Sequence, residues 1–397
     1  MTEKKKKKTR ADATDCVHAG EERHGSNASL TTDIAQASVF VMPSLDELRR
    51  YAEGKSSAYM YSRYANPTTT VAEDKIAALE GAEACVVTAS GMAAEMAIFT
   101  ALCESGDEVV SMLDLYGGTT KLFQAVLPRF GIRTRLIPFH ELSKIEEYFS
   151  DRTRLLFLET PTNPTLRCAD IRALAEIAHR HNAVVVADNT FATPILQKPL
   201  ELGADIIIHS ATKYLGGHND LTAGAVAGPH RWLDQIRETV KYTGGCLAPF
   251  ASYLLIRGLK TLDIRVERAC ANARAIADAL RRHSKVGRVL YPGFSDHPGH
   301  EVACRQMRDS GMMVSFEIKG GGPAAERFID ALKLWYLATS LGGVESTVSY
   351  PLLSSHVGLT EKQLELLDVS AATVRLSVGI EAAADLVADV EQALDRA

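Results

Sequence analysis

From Val71 to Gly228 the chain alternates short apolar runs with amphipathic stretches. ACVVTAS, EVVSM, RTRLIPF, TRLLFLET, AVVVADNT, ADIIIHS and AGAVAG read as strands. AEDKIAALEGAE, ended by Gly81, reads as a helix, as do GMAAEMAIFTALCESGD, closed by Gly106, Gly118 to Arg129, and DIRALAEIAHRHN, with Asp170 at its start. Short Val/Ile/Leu runs separated by helices are the signature of a parallel sheet covered on both faces. The class is therefore α/β.

The flanks differ. Residues 11 to 65 show weak periodicity and read as an arm, with one helix over Ser44 to Glu53 that Ser44 is placed to cap. Beyond Gly228, RWLDQIRETVKY is helical, and a long helical stretch from Phe250 to His283 is expected to break at Gly258. A smaller α/β region follows, with strands GMMVSFEIK and TVRLSVGIE and helices PAAERFIDALK and AADLVADVEQAL. His297 to His300 and the glycine run Gly320 to Gly322 read as turns. The expected organisation is an arm over 1–65, a ligand-binding domain over 66–260 and a C-terminal domain over 261–397.

Composition excludes several classes. A net charge of −5 gives no global pull toward nucleic acid or membrane. The run of five lysines at 4–8 reads as a disordered basic tail, with no apolar segment after it to make a secretory signal. Seven scattered cysteines, without CxxC or Cys/His spacing, fit a reducing cytosol and no metal site. No apolar run reaches the roughly 18 residues of a membrane span.

Ligands in open α/β sheets bind beyond the carboxyl ends of the strands. Ser90-Gly91-Met92 lies where VVTA gives way to a helix, a position whose free N–H groups favour phosphate. Tyr116 follows EVVSM, Asn163 follows TRLLFLE, Asp188 ends VVVAD, and Lys213 follows ADIIIHS with Ser210 and Thr212 beside it. Read alone, each has an ordinary role: a surface lysine, a helix-capping Asp, a core Tyr, a turn-forming Asn. Together they supply what an aldehyde cofactor on a lysine Schiff base requires: the lysine, an acid for the ring nitrogen, a phosphate cradle and a flat group over the ring. Asp188, next to a ring cation, is expected to have a depressed pKa. Arg63 among Tyr59, Tyr61 and Tyr64 reads as a surface cation–π cluster or as an anion clamp. Arg375, alone in an apolar strand, needs either a ligand carboxylate or an internal salt bridge.

YSRYANPTTT, TASGMAA, LYGGT, ETPTNPTLR, ADNTFATP, HSATKYLGGHND, RGLKTL, YPGFSDHPGH, SLGGVES and VRLSVGIE resemble, in order, the transsulfuration enzymes, the Cys/Met-metabolism family of pyridoxal-phosphate enzymes. The resemblance runs from about residue 15 to the end. It implies the aspartate-aminotransferase-like fold (fold type I), with a mainly parallel seven-stranded sheet and a smaller C-terminal α/β domain. It implies pyridoxal 5'-phosphate as cofactor and a cytoplasmic homotetramer whose sites are shared between subunits. Carried over, Lys213 is the Schiff-base lysine, Asp188 the pyridinium partner and Tyr116 the stacking residue. Gly91, Met92, Ser210 and Thr212 hold the phosphate, and Tyr61 and Arg63 reach the phosphate of a neighbouring subunit. Lys213, Tyr116 and Tyr61 make the catalytic set, and Asn163, Ser340 and Arg375 fix the substrate carboxylate and the lysine. The implied reaction replaces or eliminates a γ-substituent of a homoserine-type amino acid, with cystathionine γ-synthase the first reading and γ-lyase or sulfhydrylase the alternatives.

Three positions depart from the family pattern. Met60 and Thr339 stand where cystathionine-handling relatives often carry a carboxylate. Gly118 stands where methionine γ-lyases carry a cysteine.

Overall fold

The computed structural model describes residues 10–21 and 29–397; the lysine run at 4–8 lies outside them. Seven strands form the large sheet: β1 (Ala84–Thr88), β2 (Glu108–Met112), β3 (Arg133–Ile137), β4 (Thr153–Glu159), β5 (Val184–Asp188), β6 (Ile206–His209) and β7 (Gly224–Gly228). All seven match expected runs. Their order is β1-β7-β6-β5-β4-β2-β3, and β7 alone runs antiparallel to its two neighbours. The antiparallel β7 follows from its connection, because Ser210 to Ala223 is too short and irregular to carry a helical crossover back.

In the arm, α1 (Asp12–His18) was not foreseen, whereas α2 (Leu45–Ala52) starts as expected, with Ser44 Oγ accepting from Glu47 N–H. Helix α3 (Pro67–Glu80) ends at Gly81 in the left-handed region. Helix α4 (Gly91–Leu102) stops before Gly106, which instead serves the turn into β2. The expected helix over Gly118 to Arg129 is three pieces: α5 (Gly117–Lys121), a π-helical turn at Leu122–Val126 and a 3₁₀ turn at Leu127–Phe130. Pro128 supplies the physical reason, since it has no N–H to continue the α ladder. Helix α6 (Ile171–Arg180) is capped by Asp170, and α7 (Thr193–Leu196) is one turn.

After the sheet come α8 (His230–Thr243), α9 (Pro249–Leu259) and α10 (Leu262–Arg282). The expected break at Gly258 is misplaced: Gly258 lies inside α9, and the break falls at Lys260–Thr261. A Cβ at Gly258 would lie 2.2 Å from Gly216 O, so this glycine lets α9 press onto the loop that follows Lys213. Arg265 seals the contact, donating to Tyr214 O and to Gly258 O, both at 2.8 Å.

The second sheet comprises β8 (Val286–Leu290), β9 (Met313–Ile318), β10 (Tyr336–Leu337), β11 (Thr347–Ser349) and β12 (Thr373–Ser377), in the order β10-β11-β12-β9-β8. Only β9 and β12 were foreseen. Helices α11 (His300–Gln306), α12 (Gly321–Ala331), α13 (Glu361–Leu366) and α14 (Ala383–Arg396) complete the chain. Gly321 and Gly322 open α12 rather than forming a free turn. One apolar core lies on each face of the large sheet, and a third lies under the second sheet. Phe99, Phe123 and Phe157 interlock in the first core, with ring centroids 5.1–5.7 Å apart.

Candidate active site

A cavity of about 480 Å³ opens at the carboxyl ends of the large-sheet strands. Its lining includes Ser90, Gly91, Met92, Tyr116, Asn163, Asp188, Ser210, Thr212, Lys213, Ser340 and Arg375, so nearly every candidate residue meets there. Tyr61 and Arg63 do not line it. Arg63 stacks over Tyr61 and Tyr64 and donates to Lys241 O, on the face that carries α8.

The end of the cavity expected to take a phosphate is built by α4. Ser90 caps it, Oγ accepting from Ala93 N–H. Gly91 and Met92, the first two residues of the helix, have N–H groups without intrahelical acceptors, at the positive end of the dipole. Thr212 is less free: its hydroxyl donates to Ala223 O at 3.1 Å and accepts from Ala223 N–H at 3.0 Å.

Lys213 follows β6. His209, at the end of that strand, turns to the opposite face and meets Glu80 Oε1 at 2.5 Å with both side chains fully buried. That anchor fixes the strand end, and Lys213 Nζ donates to Ser340 Oγ at 2.9 Å. Burial, then the nearby Arg375 cation, lowers the Lys213 amine to about 8. A neutral fraction is therefore present near physiological pH, as a lysine nucleophile and base needs.

Asp188 ends β5 with Oδ1 accepting from Thr190 N–H at 2.9 Å. In the chain itself its pKa moves up, the reverse of the expectation, because burial outweighs the Thr190 hydrogen bonds and the charge of His209. The ring cation expected to lower it is no part of the chain.

Arg375 lies centrally in β12, paired in register with Ser315 of β9 and Ser349 of β11. It makes no ion pair among the described residues; Nη1 donates to Asn163 Oδ1 at 2.7 Å and Nη2 to Ser340 O at 3.4 Å. Nε is buried and unpartnered. Burial pushes its pKa down to about 10, so it remains a cation at neutral pH. An under-used guanidinium facing a cavity suits a ligand carboxylate. Ser315 Oγ donates to Pro164 O at 2.6 Å and ties the second sheet to the loop that carries Asn163.

Two lining carboxylates were missed: Glu159, at the end of β4, and Glu95, inside α4. Glu159 Oε2 accepts from Tyr116 N–H at 2.7 Å. Both were visible as single charges within apolar runs. Gly118 holds the Tyr116 ring in place by omission: a Cβ there would lie 2.4 Å from Tyr116 Cε1 and 3.0 Å from Met92 Sδ. Gly118→Ala is therefore expected to push the ring aside at about 1–3 kcal/mol, lowering kcat/KM roughly tenfold to a hundredfold. Steady-state kinetics on a variant with unchanged melting temperature checks this; unaltered kcat/KM would show that the ring position does not matter.

A model of the family described as "Cys/Met metabolism PLP-dependent enzyme" matches residues 13–395. This chain belongs to that family. It is 44% identical over 386 residues to an L-methionine gamma-lyase of Fusobacterium nucleatum, covering 96% of this chain and 98% of the relative. It is 41% identical over 388 residues to the chloroplastic cystathionine gamma-synthase 1 of Nicotiana tabacum, covering 97% and 72%. A crystal structure of cystathionine gamma synthase from Xanthomonas oryzae pv. oryzae, in complex with aminoacrylate and cysteine, superposes with a TM-score of 0.90 at 36% identity, covering 98% of each chain. The fold is that of the fold type I pyridoxal-phosphate enzymes. The protein is a pyridoxal-phosphate-dependent enzyme of the γ-synthase and γ-lyase group.

The cavity fits that cofactor. Free N–H groups of a helix start, a lysine, a carboxylate and an arginine with an orphaned N–H all line it. When bound, pyridoxal phosphate supplies an electron sink for a carbanion next to the substrate amine.

Proposed function

We propose that this enzyme performs γ-elimination on an L-amino acid whose γ-substituent carries no charge, such as a thioether or a neutral ester. The observation that carries the reading is the charge distribution of the wall. Arg375 with Asn163 takes the α-carboxylate, and Lys213, once displaced by the substrate α-amine, moves the α- and β-protons. Gly91, Met92 and Ser210 hold the phosphate, and Asp188 holds the ring nitrogen. Glu95 and Glu159 lie by Thr119 and Tyr116; the stretch of lining left for the γ-substituent, Thr339, Leu341, Leu353, Ser354 and Ser355, carries no charged group. An ammonium or carboxylate placed there would be desolvated without a partner, at a cost of several kcal/mol.

Ser340 steadies Lys213 between its two tasks through the 2.9 Å hydrogen bond. Tyr116, half-exposed, would lie over the ring and shield it from water. The loop bearing Thr339 is pinned by Gly342 N–H donating to Ser377 Oγ at 2.9 Å and by Asn219 Nδ2 donating to Glu345 Oε2 at 2.7 Å.

Cystathionine γ-synthase activity is the second reading, supported by the synthase relatives and structural neighbours. It needs a site for the ammonium of cysteine, which Thr339 does not provide. Product analysis by mass spectrometry decides between them. The panel is methionine, cystathionine, O-acetyl-, O-succinyl- and O-phosphohomoserine, each with and without cysteine. A 2-oxo acid formed from methionine or O-acetylhomoserine without thiol is the expected result. Cystathionine formed only from an activated homoserine plus cysteine would overturn it.

A homotetramer, active in the cytoplasm, is part of the proposal. The arm exposes Leu30, Val39, Val41 and Leu45, an apolar surface that a second copy would cover. Tyr61 and Arg63, on the same arm, would then enter the partner's phosphate site. Arg63→Ala is expected to weaken cofactor binding at least tenfold without changing the oligomer mass seen by light scattering. Unchanged cofactor affinity would place Arg63 outside the site. All seven cysteines are free, in keeping with a reducing compartment.

A further inference from the structure

Glu95 is the one charged residue in the helical run from Gly91 to Leu102. It is 3% exposed and lines the cavity. Its Oε1 accepts from Thr119 Oγ1 at 2.7 Å, whereas its Oε2 is buried with no hydrogen-bond partner among the described residues. Nothing in the cofactor roles assigned above uses it.

We propose that Glu95 is a second acid of the cofactor pocket: a neutral carboxylic acid whose free oxygen donates a hydrogen bond to the heteroaromatic cofactor held by Lys213 and Asp188, and which gives the loaded enzyme a titration of its own. The inference rests on the pyridoxal-phosphate site placed in this cavity. A neutral carboxyl offers one O–H donor besides its acceptor oxygens. Thr119 takes up an acceptor position, so the donor is left facing the cavity. A buried donor without a partner costs about 1–3 kcal/mol, and a ligand with an acceptor atom or a π face removes that cost.

The surrounding charges keep Glu95 neutral. Burial first, then the charge of Asp188, raises its carboxyl to about 8. Glu159, on the same wall, is raised well above its ordinary value, by burial and then by Asp188. With a ring cation bound, Asp188 is the carboxylate that ionises, and its charge further disfavours ionisation of the other two. Tyr116 and Lys213 are the remaining titratable groups on this wall that the cofactor itself engages. Lys121 of α5 is exposed. On the other elements packed against α4, Arg237 and Lys241 of α8 pair with Glu73 and Glu238, and His209 of β6 pairs with Glu80. Cys85 of β1 is buried in the core on the far face of the sheet. None of these brings a free cation to Glu95.

The test uses Glu95→Gln, which keeps shape and donor but cannot titrate, and Glu95→Leu, which removes both. Absorbance of the pyridoxal-phosphate-loaded protein is followed from pH 6 to 10, and cofactor dissociation is measured by fluorescence. Glu95→Gln is expected to lose one wild-type spectral transition while binding the cofactor within about threefold of wild type. Glu95→Leu is expected to bind it at least tenfold more weakly. A third readout uses the cofactor-free protein. Between pH 4.5, the ordinary value, and about 8 the native state keeps a proton that the unfolded chain releases. Wild-type stability therefore falls as pH rises through that window, and the fall is shallower in Glu95→Gln. If Glu95→Leu does not fold, the two Glu95→Gln readouts decide. Identical titrations and identical stability slopes in wild type and Glu95→Gln overturn the proposal. Loss of the cofactor spectrum in Lys213→Ala checks the site separately, so failure of the site and failure of the Glu95 role are told apart.

Discussion

Lys213→Ala is expected to lower turnover by roughly 10⁴-fold or more, because one side chain supplies both covalent capture and proton transfer. The geometry concentrates both tasks on Nζ. Burial and Arg375 lower the amine to about 8, and Ser340 Oγ at 2.9 Å holds it toward the cavity. Among the described residues no other lysine lines the cavity to replace it. The absorbance band of the lysine-bound cofactor should disappear, while phosphate-end contacts leave some cofactor bound. Removing a partly buried cation that another cation, Arg375, disfavours does not threaten the fold, so the melting temperature should hold. A variant that keeps the band, or keeps more than a hundredth of the activity, would refute the assignment.

Arg375→Leu is the second large effect. The guanidinium is buried, charged at neutral pH and bonded to Asn163 Oδ1 at 2.7 Å, with Nε unpartnered. Truncating one partner of a buried charge pair costs about 2–5 kcal/mol, which at 1.4 kcal/mol per tenfold is a loss of roughly thirtyfold to a few thousandfold in kcat/KM. The loss should fall mainly on KM, since the α-carboxylate is bound alike in the ground and transition states. Arg375→Lys should restore little, because an ammonium cannot replace the planar fork. Cofactor affinity should stay within a few fold. A normal KM in Arg375→Leu would move the carboxylate site elsewhere.

These two residues show how far the chain could be read without coordinates. Lys213 was legible because a local signal surrounds it: a four-residue apolar strand, small hydroxyl neighbours and a glycine pair. Arg375 was legible only as an anomaly, a charge in an apolar strand. Its partner Asn163 lies 212 positions away, and β9 must pair with β12 before the two can meet. Glu95 and Glu159 were not singled out, since burial is a property of the packed molecule. The Gly258 break failed for the same reason, because that glycine answers a contact with Gly216 rather than a local need of its helix.

The sequence by itself determined the α/β class, all seven strands of the large sheet, and the family with its cofactor, because period, strand length and motif order are local properties written along the chain. The tertiary structure alone decided the antiparallel β7, the departure of Tyr61 and Arg63 from the cavity of their own chain, the uncharged lining residues from Thr339 to Ser355, and the burial that raises the pKa of Glu95 and Glu159. Those depend on which side chains share a low-dielectric space, and that is fixed only when segments far apart in the chain close around it.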